Sequence, residues 1–127
     1  MKSRILKFAA VGSVMLLVAA CGSRDPGAYD SSLNQKTAGA AVISSFAKMC
    51  GVGGIQQYRQ SFVNLMRQQR PLNAEAEARI WEMFAFADRG VAERFPTLAS
   101  RQQQCSTYGT GEDNIRRGIA GDFRGQI

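Results

Sequence analysis

The chain has 127 residues, 16 Lys and Arg against 10 Asp and Glu, a net charge of +6, and no histidine. That size fits one domain of ordinary globular composition. The absence of histidine excludes His-based triads, His–carboxylate general bases and imidazole metal sites, so neither a metal centre nor a cofactor is expected.

Residues 1–20 read as a secretory signal: a basic start from Met1 to Lys7, an uncharged apolar stretch from Phe8 to Ala20, and small residues at its end. The 13 residues of the apolar stretch rise only about 20 Å as a helix, against a hydrocarbon core of about 30 Å, too short to span it. With Lys2, Arg4 and Lys7 assigned to the signal, 13 basic and 10 acidic residues remain, a net +3. Most of the excess basicity is a sorting feature.

The signal ends in Val18-Ala19-Ala20-Cys21, which resembles the lipobox of bacterial lipoproteins. The resemblance covers the first 21 residues only. It implies a diacylglycerol on the Cys21 sulfur, cleavage after Ala20 and acylation of the new amino group. Ordinary signal cleavage at the same small residues is the alternative. Two or three acyl chains make an effectively permanent membrane anchor. Gly22 stands where lipoproteins kept in an inner membrane often have Asp, so for a Gram-negative host the resemblance implies the outer membrane, facing the periplasm. With Cys21 lipidated, Cys50 and Cys105 are left as an even pair in an oxidising compartment, where a disulfide is expected and two buried thiols are the alternative. Loop closure assigns such a bond about 4 kcal/mol.

Residues 21–36, with Pro, Gly, Ser and Asp and no apolar period, read as a lipidated flexible tether ahead of a helical domain over 37–127. The first helix, "TAGAAVISSFAKMC", places Val42, Phe46, Met49 and Cys50 on one stripe, and Gly51 to Gly54 stop it. Gly39, Ala40 and Ala41 allow a neighbour to approach closely. The second, "IQQYRQSFVNLMRQQR", lines Ile55, Tyr58, Phe62, Leu65 and Met66 on one face, with Gln56, Gln60, Asn64 and Arg67 opposite, and ends at Pro71. Asn73 caps a third helix from about Ala74 to Arg94, with Glu75 and Glu77 in its first turn and a core stripe of Ala76, Ile80, Met83, Phe84, Ala87 and Val91. Pro96 breaks it, leaving a short continuation to Cys105. A fourth helix, capped at Thr110 and bearing Ile115, Ile119 and Phe123, is weakened by Gly118, Gly121 and Gly125. The expected fold is all-α, a three- to four-helix up-and-down bundle with one disulfide, Cys50–Cys105.

Catalytic patterns are sparse. Ser45-Phe46-Ala47-Lys48 fits S-x-x-K, but Lys36-Thr37-Ala38-Gly39 lies upstream, is not K-T-G, and no S-D-N element follows. The acids from Glu75 to Glu93 beside Trp81 read as a solvated helix face in preference to a glycosidase pair. The glycine clusters at 51–54 and 109–111 follow no strand and read as connectors.

Charge placement says more. Ser31 to Ala74 holds five basic residues and no acid, whereas Glu75 to Glu93 holds five acids with Arg79 and Arg89. Either the second and third helices pair opposite charges along their rims, or Arg59, Arg67 and Arg70 belong to a basic face for an acidic partner. Phe86 falls opposite the third helix's core stripe, among Arg79, Glu82, Arg89 and Glu93, where an aromatic marks a protein contact unless another segment covers it. Trp81 lies at the stripe's edge. These features predict a non-enzymatic interaction module for an envelope protein, of secretion, conjugation or inhibitor and immunity type, with no nucleic-acid partner. The alternative is a binding module for a small ligand or cell-wall glycan, with Trp81 at its rim.

Overall fold

The computed structural model describes residues 25–127, and within them the chain is all-helical, with five helices and no strand. These are α1 (Ser31–Met49), α2 (Ile55–Gln69), α3 (Ala74–Arg94), α4 (Leu98–Tyr108) and α5 (Glu112–Ile119). The signal segment 1–20 and Cys21 lie outside the described residues. Among those that are described, no helix is long and apolar enough to cross a membrane.

The tether expected through Lys36 gives way to fixed structure at Asp25. Asp30 caps α1, its carboxylate accepting the Leu33 N–H at 2.9 Å. The buried stripe of α1 is Leu33, Thr37, Ala40, Ala41, Ser44, Ser45 and Ala47. This corrects the stripe read from Val42, Phe46, Met49 and Cys50, because Val42 is 50% exposed. Apart from Leu33, the large side chains that fill the core come from elsewhere: Tyr58, Phe62 and Met66 of α2, Ile80 and Phe84 of α3, Ile115 of α5 and Phe123 beyond it. A helix of small residues at the centre lets those neighbours reach its backbone, and α1 touches α2, α3 and α5. Two of its buried hydroxyls bond back to the helix, Thr37 to the Leu33 carbonyl at 2.7 Å and Ser44 to that of Ala40 at 2.8 Å.

α2 and α3 follow their apolar period. Tyr58, Phe62, Val63 and Met66 are buried on α2, and Ala76, Ile80, Phe84 and Val91 on α3. Asn73 caps α3 through a 2.7 Å bond from the Ala76 N–H, and Phe95, ahead of Pro96, ends it. The segment past Pro96 is a helix in its own right, which raises the count above the three to four expected. Thr97 and Ser100 form a reciprocal capping box that starts it. α4 contributes no buried residue. It is held to the body by the Cys50–Cys105 disulfide, Cα atoms 5.8 Å apart, and by Arg101 donating to the Phe95 carbonyl at 2.9 Å.

α5 is better fixed than its glycines suggested. A β-carbon on Gly118 would stand 2.3 Å from the Tyr58 ring, so this glycine is the seat of that ring. The N-cap is Gly111, one residue past the expected Thr110. The chain then folds back. Phe123 packs on Tyr58 and Phe62 at 5.2 and 5.9 Å between ring centres, and the Tyr58 hydroxyl donates to Gln126 Oε1 at 2.7 Å.

Candidate functional site

Two features are built beyond the needs of a simple core, one interior and polar, one exposed. The interior one is centred on Arg59, which shares the buried face of α2 with Phe62 and Met66 and is 6% exposed. Its guanidinium donates to Ser44 Oγ (2.9 Å), to Ser45 Oγ (3.1 Å) and, through both terminal nitrogens, to Asp88 (3.0 and 2.7 Å). Ser45 Oγ and Lys48 Nζ add further donors to the same carboxylate at 2.7 and 3.2 Å. The Phe84 ring lies beneath, 4.9 Å from the guanidinium carbon. Burial pushes the Asp88 carboxyl up, but the hydrogen bonds from Arg59 and Ser45 and the Arg59 charge outweigh it and hold the group at about 2.

Arg59 is therefore an interior ion pair that joins α1, α2 and α3, which corrects its place on an accessible basic face. The same geometry accounts for Ser45 and Lys48 of the S-x-x-K match, which the helical pattern alone would leave as exposed surface residues. Ser45 is buried, and its hydroxyl donates to Asp88 while Lys48 turns to that same carboxylate. The signal for the pair was present in the spacing, since Arg59 stands three residues before Phe62 and seven before Met66, a charged residue at core period.

Of the other candidates, Arg67 pairs with Glu77 at 2.6 Å across α2 and α3. Arg70 reaches Asp30 and the carbonyls of Ala28 and Pro26 at 2.8, 2.8 and 3.1 Å. Charges on α2 and α3 thus do meet, at Arg59–Asp88 and Arg67–Glu77. Trp81 is half-buried and packs edge-on against Phe84, ring centres 5.4 Å apart.

Phe86 is 65% exposed. With Tyr29, Arg79, Glu82, Met83 and Arg89 it lines an open groove along α3. The Arg79 guanidinium lies 4.9 Å above the Tyr29 ring and that of Arg89 6.0 Å above the Phe86 ring, so cations sit on both aromatics. The fixing of Tyr29 beside α3 was not legible from the sequence, where it fell in the tether. Among the described residues no group of three or more Cys, Asp or Glu side chains is placed to hold a metal ion.

No protein-family model, curated protein or solved structure significantly matches the chain. Fold and surface together define a small, disulfide-tied helical domain that displays an aromatic residue on an otherwise charged helix face.

Proposed function

We propose that the protein is a lipid-anchored periplasmic module, attached through Cys21, that works by binding protein in a cell-envelope complex and not by catalysis. A secretion or conjugation machine and an antagonistic effector are the two kinds of complex that suit a small tethered domain. The observation that supports this most directly is the exposure of Phe86 in the middle of a well-capped, 21-residue helix. A large aromatic left on a rigid charged face is the usual form of an interface anchor. The groove beside it is open, and Trp81 does not line it but packs against Phe84, which favours a protein surface over an enclosed ligand.

The anchor and the surface are tested separately. Cys21→Ser is expected to abolish palmitate labelling in cells, and persistent labelling overturns the anchor. A photo-crosslinking residue at position 86, in the full chain in intact cells, is expected to give a discrete protein adduct. Adducts only with the chain's own helices would overturn the interaction reading.

A further inference from the structure

We infer that the partner of the Phe86 face is a second copy of this chain, with the two α3 helices packed antiparallel about a two-fold axis at Phe86. The inference rests on the interaction reading above and names its partner.

Arg79, Glu82, Phe86, Arg89 and Glu93 recur at intervals of three and four residues, the period with which one helix lays a straight seam along another. All five are exposed. Among the described residues, none of the four charged ones forms a salt bridge. Their signs run plus, minus, Phe, plus, minus. Reversed about Phe86, the order becomes minus, plus, Phe, minus, plus, the complement of the original at every position.

An antiparallel pair therefore sets Arg79 opposite Glu93 of the second copy and Glu82 opposite its Arg89, while the two Phe86 rings meet on the axis. A parallel pair would oppose like charges at all four positions, so the pattern selects one arrangement and rejects the other. A contact between two different proteins needs no such internal symmetry. An isologous contact requires it, because one patch must complement itself. The flanks are compatible with close approach. Ala78, Ala85, Gly90 and Ala92 border the seam, and a β-carbon on Gly90 would meet nothing within 4 Å.

Exposed ion pairs contribute little individually, so free chains pair weakly. Two chains held by lipid in one membrane meet at a raised effective concentration, which favours the pair where the protein is anchored.

The test uses the full-length chain in intact cells. Phe86→Cys is expected to give a reductant-sensitive dimer on a non-reducing gel, because residue 86 faces its own twin. Val42→Cys and Tyr108→Cys, also exposed but off the seam, are expected to stay monomeric. In the Phe86→Cys background, Arg79→Glu should lower the dimer at least fivefold, and Arg79→Glu with Glu93→Arg should restore it. No dimer at 86, equal dimer at all three sites, or no rescue by the double exchange would overturn the inference. A disulfide to a different protein would overturn the second copy and support the interaction reading. Palmitate labelling of the same cells reads the anchor independently of either result.

Discussion

At the scale of single residues the domain is organised by a buried charge. Arg59 is surrounded by Ser44, Ser45 and Asp88, with both terminal nitrogens on the carboxylate. Removing one member of such a pair leaves the other desolvated and unpaired. Arg59→Met is expected to cost about 3 kcal/mol in urea unfolding, and Arg59→Met with Asp88→Leu to recover most of it. Acid should expose the same pair. The folded Asp88 carboxyl sits at about 2, below its ordinary 3.8, so its contribution is present above the higher value and lost as pH falls through the window between them. Allowing for its partial exposure, that contribution is about 1–2 kcal/mol. Asp25, Asp30 and Asp122 are also held low, by hydrogen bonds from Asn73, Arg70 and Arg124 respectively, and add slope in the same direction. Stability measured from pH 5 to pH 2 should therefore decline in the native protein and decline less in Asp88→Asn; identical slopes would mean that the pair is not formed.

At the scale of elements, legibility followed side-chain size. α3 was readable to its ends because large apolar residues mark its inner face and Asn73 and Pro96 mark its limits. α2 was readable for the same reason, apart from its buried arginine. α1 misled, since a helix at the centre of a crowded core buries its smallest residues and leaves a valine outside. Periodicity weighted by hydrophobicity favours Val42 and Phe46 over Ser44 and Ser45, and only the close-approach reading of the small residues points to Ala40 and Ala41, both buried. Ala41→Leu is thus expected to destabilise by about 2–3 kcal/mol through overpacking, whereas Val42→Ser should stay within about 0.5 kcal/mol; thermal unfolding of the two variants checks the assignment. The expected disulfide is present. It ties down α4, a helix with no buried side chain. Cys50→Ala with Cys105→Ala should lower stability by up to about 4 kcal/mol, and amide exchange should rise first in α4, with α2 and α3 following only on global unfolding.

At the scale of the whole molecule the decisive feature is how residues 25–30 are held. Asp25 accepts a 2.7 Å bond from the Asn73 side chain, Gly27 O accepts one from the Asn73 N–H at 2.9 Å, and Arg70 gathers Pro26, Ala28 and Asp30. Residues 25–30 are thereby clasped to the α2–α3 turn. Three residues, Gly22 to Arg24, lie between Cys21 and Asp25, a reach of at most about 14 Å, where a free segment from Cys21 to Lys36 would reach about 50 Å. A domain anchored at Cys21 is then confined to the membrane surface. An antiparallel pair with its two-fold axis normal to the membrane would hold both clasped ends at the same height above it, which fits that confinement. Arg70 is the residue on which the short reach depends, since it supplies three of the contacts and belongs to no part of the core. Arg70→Ala should leave the helices folded, lower stability by about 1–2 kcal/mol, and free Tyr29 for chymotryptic cleavage under native conditions. The native protein should resist cleavage there under the same digestion. If Tyr29 is cut equally fast in both proteins, the segment is a loose tether after all and the domain stands free of the membrane.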